Sequence, residues 1–316
     1  MPTYQSKKNI YKAVALAVLA TLIWSGNFVI ARGVADRISP ISLAFFRWST
    51  ACIVLMPIAF RLFLKERPVV QKNLGYFFWL SLSGITLFNT LVYVAGHYSS
   101  AINLALIGTT SAPIMAMVLA AVFLKEKITY PRLVGLIVCI FGILLLLSGA
   151  DINRLIAFRF STGDWWVLAG AFCFAVYNTL IKVKPTGISA VVLLFVAFCF
   201  GTVLIFPAFV IDSFSGHSIR WDYNLLLIIL YLGIGTSVIS FLCWNISISI
   251  LGSARTALFG NLIPVFSSIE AVLFLGEKIT KIHLVSGILV IVGLIIANLF
   301  AQSSHKKIDQ PVTPIQ

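Results

Sequence analysis

Several polar and aromatic side chains sit at helical spacing inside long apolar runs. Trp24 and Asn27 share a stripe with Ala20 and Ala31, while Asn89, Tyr93 and His97 stand at i, i+4 and i+8. Ser240 and Trp244 repeat the i, i+4 spacing, and Asn261, Pro264 and Ser268 form a further stripe. Asn178 adds another amide. Amide groups beside flat rings can bind an amphipathic organic solute, including an amino acid with an apolar side chain or an organic cation held over a ring. The same groups could instead bond neighbouring helices without touching a ligand. Arg47 and Glu270 are the charged residues well inside the apolar runs. Each lies about five residues, or roughly 7–8 Å, from one membrane boundary. At equal depth they are expected to pair, directly or through water or substrate, and to gate one state. The competing expectation has Arg47 reaching for headgroups and Glu270 bonded to a hydroxyl such as Ser267. Pro113 and Pro264 each withdraw a backbone donor at mid-run and are candidate hinges.

Catalysis is hard to assemble from this sequence. The four histidines, His97, His217, His283 and His305, lie at run ends or beyond them, and Glu270 is the one acid within a run. A protease would need a nucleophile beside a base, or paired acids. No phosphate-binding loop is present. Cys52, Cys139, Cys173, Cys199 and Cys243 lie in apolar runs without CxxC or zinc spacing, which reads as apolar packing rather than a disulfide or metal site. No enzymatic activity, cofactor or metal is expected.

The elements that position these side chains follow from composition. Apolar types are 60% of 316 residues and charged types 10%, far from the balance of a soluble enzyme. Ten runs are long enough, or nearly so, to cross about 30 Å of hydrocarbon: 12–33, 42–62, 74–95, 100–124, 132–149, 163–182, 188–211, 224–246, 253–275 and 283–301. Continuous rather than alternating apolar character selects helices over a barrel, so the fold class is all-α integral membrane. Fifteen Lys and Arg fall in one set of alternate loops and seven in the other. That bias puts both termini in the cytoplasm. It also accounts for the net charge of +13 through basic loops facing anionic lipid, without nucleic acid. The expected organisation is a cytoplasmic N-terminus at 1–11, five spans over 12–149, an extracytoplasmic linker at 150–162, five spans over 163–301, and a disordered cytoplasmic tail at 302–316.

The two groups of spans repeat one another at an offset of 151 residues. Phe123–Thr129 matches Phe274–Thr280 at six of seven positions, and 113–142 matches 264–293 at thirteen of thirty. Asn27 meets Asn178, Asn89 meets Ser240, Tyr93 meets Trp244 and Pro113 meets Pro264. Five spans is an odd number, so the halves must be inverted, as in transporters whose repeats rock around a midplane site. A channel, or a scaffold or receptor without coupled transport, is the alternative.

These features resemble the drug/metabolite transporter superfamily, specifically its ten-span exporters with two EamA domains. The resemblance rests on Trp24 and Asn27, on Pro40, Ala44 and Arg47, and on Pro113, Leu124 and Glu126 repeated as Pro264, Leu275 and Glu277. It implies a basket of spans 1–4 and 6–9 around a cavity, with spans 5 and 10 outside. It also implies efflux of a small organic solute (an amino acid, another metabolite or a drug-like compound) across a bacterial inner membrane. Arg47 departs from the repeat, since its counterpart region at Ala197 and Phe198 has no charge. The expected partners are the solute and the bilayer. Coupling to protons and simple downhill flux are both open, and the sequence carries no sign of oligomeric state.

Overall fold

The computed structural model describes residues 7–34, 37–98, 101–156, 161–214, 219–275 and 281–299. The tail 302–316, His217, His305 and Glu277 lie outside them. The first two spans are α1 (Lys7–Gly33) and α2 (Pro40–Lys72). The third is α3 (Leu74–Ser81), a π-helical segment (Leu82–Leu87) and α4 (Phe88–Tyr98). The fourth and fifth are α5 (Ala101–Phe123) and α6 (Tyr130–Ser148), and a short α7 (Ile152–Ile156) follows. The second half runs through α8 (Thr162–Lys182) and α9 (Ala190–Phe214), then α10 (Tyr223–Leu230), a π-helical segment (Tyr231–Ile239) and α11 (Ser240–Leu251). The ninth span is α12 (Ser253–Ala257), a 3-10 turn (Leu258–Leu262) and α13 (Ile263–Leu275), and the tenth is α14 (Lys281–Leu299). The protein is an all-α membrane protein of ten helical spans in two inverted five-span repeats.

Local chemistry sets several boundaries. Ser39 caps α2 by accepting from Ser42 N, with Pro40 in the first turn where its missing donor costs nothing. Ser161 and Asp164 form a reciprocal capping box at α8. α2 continues to Lys72, ten residues beyond the expected span end. The charges from Arg61 onward mark where the chain leaves hydrocarbon, which does not require the helix to stop. Large apolar side chains remain exposed along the bundle, among them Ile53, Phe60, Val122, Phe141, Val203 and Ile288. So broad an apolar surface fits lipid contact.

The repeat is visible in the contacts. Cys139 Sγ donates to Val290 O at 3.4 Å, a bond between residues 151 apart. Beside it, a Cβ on Gly135 would lie 2.4 Å from Gly293 O, and one on Gly142 would lie 3.0 Å from Ser286 O. The offset of 151 carries the first of these contacts onto the second, so the local two-fold axis passes between α6 and α14. The pair α2 and α9 crosses near the same axis, where Cys52 Sγ is 3.6 Å from Thr202 Oγ1. Both ends of that pair are tied. Glu66 accepts from Ser189 N and Oγ at 2.9 and 3.1 Å at one end, and Asp212 accepts from Ser39 and Ser42 hydroxyls at the other.

Candidate functional site

The two π-helical segments occupy equivalent places in the repeat, since 82–87 shifted by 151 gives 233–238, within Tyr231–Ile239. Such segments leave the regular hydrogen-bond ladder and recur at functional sites. Here a glycine opens the first one: a Cβ on Gly84 would fall 2.0 Å from the buried Tyr177 ring. In the second segment, Ser240 N reaches back to Gly235 O, which bypasses Thr236 O. That freed carbonyl accepts from Trp24 Nε1 at 2.8 Å and from Arg47 Nη2 at 3.4 Å. The register slip thus supplies the acceptor that anchors the first span to the eighth.

Arg47 projects from α2 into this junction and is 1% exposed. Its Nε donates to Ser237 Oγ at 2.8 Å. Its Nη1 lies 2.8 Å from Asn89 Oδ1, 2.9 Å from Tyr93 Oη and 3.3 Å from Asn27 Oδ1. The guanidinium carbon also stands 4.8 Å from the Trp48 ring centre. Tyr93 Oη lies 3.4 Å from Asn27 Oδ1, and Trp244 Nε1 donates to Asn178 Oδ1 at 2.9 Å. These last two contacts are images of one another in the repeat: an aromatic donor on the third or eighth span meets an asparagine on the first or sixth.

Beside Arg47 lies a cavity of about 910 Å³, including open solvent at its mouth. Trp24, Asn27, Asn89, Asn178 and Trp244 line it together with Arg47 and Pro113, so both repeats contribute. Phe88, Phe174 and Phe241 complete an aromatic wall. Trp24 meets Trp244, Phe241 and Phe174 with ring centres 5.0, 5.4 and 5.7 Å apart, and Phe174 stacks on Phe88 at 4.5 Å. Edge-to-face packing of this kind fixes ring orientation.

Other expected site residues fall elsewhere. Tyr93 does not line the cavity; its hydroxyl meets Arg47 and Asn27, which do. Ser240 is buried and closes on Gly235 O at 3.0 Å. Its side chain is too short to span what the Asn89 amide spans, and the residue equivalent to Arg47 is Phe198. Asn261 is fully buried and sits beside Cys139 of α6, outside the cavity, while its neighbour Gly260 lines it. The 3-10 turn is the cause: it advances about 120° per residue, so a stripe drawn at the α-helical period loses phase. Pro113 lies within α5, whereas Pro264 is the second residue of α13 and follows directly on the 3-10 turn Leu258–Leu262. The two prolines therefore sit in different helical settings.

Direct pairing of Arg47 with Glu270 is not observed. Glu270 accepts from Ser25 Oγ at 2.5 Å, and the neighbouring Ser267 Oγ donates to Ser25 O at 3.2 Å. Ser25 and Asn27 are two residues apart on α1, about 200° around the helix. The two charges therefore flank α1 on opposite sides. Sequence reasoning missed Thr236, Ser237 and the phenylalanine wall. The run Gly233-Ile-Gly-Thr-Ser237 was the available signal, being small and polar inside an apolar span.

Comparison with known proteins agrees with this architecture. The EamA-like transporter family model matches residues 11–148 and again 161–299. The chain belongs to that family. Its relatives include the uncharacterized transporter YyaM of Bacillus subtilis, 28% identical over 92% of this chain and 93% of that protein. A probable amino-acid metabolite efflux pump of Salmonella typhimurium is 26% identical, over 90% and 94%. A probable terminal-alkyne amino-acid exporter of Streptantibioticus cattleyicolor is 26% identical, over 95% and 98%. A crystal structure 17% identical to this EamA-family chain superposes with a TM-score of 0.72, covering 92% of this chain and 98% of the other, so the fold is shared.

Proposed function

We propose that this membrane transporter exports a small organic solute by alternating access of its two repeats around the cavity beside Arg47. The observation that carries the proposal is the cavity's composition. Trp24, Asn27 and Asn89 come from one repeat, Asn178 and Trp244 from the other, so rocking one half against the other would rebuild the binding site's access without dismantling it. The paired π-helical segments give each half a place where backbone register can shift at low cost. Export is the direction in the printed names of two relatives, which also place amino acids and their metabolites first among the solutes to try. The location is the inner membrane with both termini in the cytoplasm, as the 15-to-7 distribution of basic residues supports. The test is reconstitution of purified protein into liposomes, with flux of amino acids, organic acids and organic cations followed with and without an imposed proton gradient. Saturable flux that Trp24→Ala abolishes is the expected result. Non-saturating flux would favour a channel, and absence of flux across the panel a scaffold or receptor.

A further inference from the structure

Arg47 is a fixed positive charge at 1% exposure, and a guanidinium does not discharge inside a protein. All of its hydrogen-bond partners are neutral: the Ser237 hydroxyl, the Asn89 and Asn27 carbonyls, the Tyr93 hydroxyl and the Thr236 carbonyl. Among the described residues no carboxylate is within ion-pair distance of it, and no acid lines the cavity. A buried charge in that condition awaits a counter-ion. The guanidinium is also unevenly used. Nε and Nη1 are engaged at 2.8–2.9 Å, whereas Nη2 has one long contact of 3.4 Å to Thr236 O.

A second donor stands beside it. Asn89 is 2% exposed and lines the cavity, and its Nδ2 has no hydrogen-bond partner. The amide cannot be reversed to cure this, because Oδ1 accepts from the permanent cation at 2.8 Å and exchange would set donor against donor. The same polarity holds in the other two asparagines of the wall. Asn27 Oδ1 faces Arg47 and Tyr93, and Asn178 Oδ1 takes the Trp244 indole. Each of the three carbonyl oxygens already accepts from a protein donor, and Asn89 Nδ2 is the amide donor left without a partner. The cavity carries a positive charge and an open donor at one end and is aromatic over much of the rest.

We propose that this site takes a small organic carboxylate, its anionic group held between Arg47 Nη2 and Asn89 Nδ2 and its apolar body against Trp24, Phe174 and Trp244. The inference names the substrate class for the transport cavity proposed above and rests on that reading for transport, though not for binding. An organic cation is the wrong partner: the rings could hold one, but it would share the cavity with an unneutralised guanidinium.

The test is ligand binding to purified full-length protein in detergent, read by thermal stabilisation and by titration calorimetry. The probes are matched sets that differ at one group: an aromatic amino acid such as phenylalanine, its des-amino acid 3-phenylpropionate, and its decarboxylated amine phenethylamine, with branched aliphatic sets alongside. At least one carboxylate should bind, whether zwitterion or simple anion, and the amines should not. Asn89→Asp is the decisive variant. It keeps an oxygen on Arg47 and so retains the fold, but it replaces the free donor with a negative charge. Carboxylate affinity should fall at least about 10-fold, the equivalent of losing one charge-assisted contact. Arg47→Gln should lose binding to a similar or greater degree. Binding of amines alone, equal carboxylate affinity in wild type and a folded Asn89→Asp, or no carboxylate binding up to millimolar concentration would each overturn the proposal. Carboxylate binding without flux in liposomes would uphold this inference and remove the transport reading. Saturable flux of non-carboxylates without carboxylate binding would do the reverse.

Discussion

Replacing Gly293 with alanine adds one methylene-sized atom where two helices meet backbone to backbone. The new Cβ on α14 would stand 2.6 Å from Gly135 O, 2.6 Å from Cys139 Sγ and 2.9 Å from Cys139 N. Ordinary contacts would put these atoms about 3.4–4 Å apart, so α6 and α14 must separate by roughly half to one ångström. Two of the three obstacles are backbone, which cannot rotate away. Overpacking of this kind costs about 1–3 kcal/mol, and the better helix propensity of alanine returns up to about 1 kcal/mol. A net loss of about 1–2 kcal/mol is expected, rising steeply in Gly293→Leu. Gly75→Ala is the control, because a Cβ there meets nothing within 4 Å; it should be neutral or slightly stabilising. Thermal unfolding of purified protein in one detergent measures all three. Among the described residues neither α6 nor α14 contributes to the cavity, so ligand affinity of the folded fraction should be unchanged. A Gly293→Ala protein that melts at or above wild type would refute the close approach. A selective change in affinity at normal melting temperature would refute the placement of these helices outside the site.

Cysteines introduced at 24, 27, 178 and 244 in a Cys-free background should react with a water-soluble thiol reagent, while a variant that retains Cys139 as its single cysteine should resist it; uniform protection of the four would remove the cavity assignment. Trp244→Phe keeps an aromatic ring but deletes the Nε1 bond to Asn178 and leaves a void where the rest of the buried indole stood, so it should destabilise the fold by at least about 1 kcal/mol in unfolding assays. Arg47→Gln and Glu270→Gln should act additively in a double-mutant cycle, with coupling within about 0.5 kcal/mol, because α1 stands between them; a larger coupling would revive direct interaction. Arg37→Ala removes a 2.7 Å pair with Asp222 whose side chains are 40% and 44% exposed, and the unfolding midpoint should reveal a loss below about 1 kcal/mol.

The ten spans and their duplication were legible because they depend on quantities a linear sequence carries: run length against bilayer thickness and identity at a fixed offset. The faces of α1 and α4 were legible for a similar reason. An undisturbed helix keeps its phase, so Trp24, Asn27 and Asn89 lie together at the cavity, and Asn178 joins them as the repeat counterpart of Asn27. Phase was lost wherever the helix type changed. The π-helical segments depend on tertiary fit, such as Tyr177 seated against Gly84, and the 3-10 turn at Leu258–Leu262 redirected Asn261. Equal depth was the ground for expecting Arg47 and Glu270 to pair, but depth does not specify azimuth, and the two meet different faces of α1.

Duplication makes the exceptions informative. Where both repeats keep a feature, as with the aromatic–asparagine bonds of Tyr93 with Asn27 and Trp244 with Asn178, the feature can serve an exchange between two mirrored states. Where only one repeat has it, no exchange can hand it over. Arg47 has Phe198 as its counterpart, and Phe198 packs against Trp48 and Phe241 in an apolar cluster. Glu270 has Leu119. A charge present in one half alone biases a solute toward one orientation, because the head of the ligand can be neutralised at one end of the chamber only. Under the proposed alternating access, the inverted frame would supply the two states and the guanidinium, with no carboxylate beside it, the polarity within them. On this reasoning the residues that break the repeat, more than those that keep it, decide what the cavity holds.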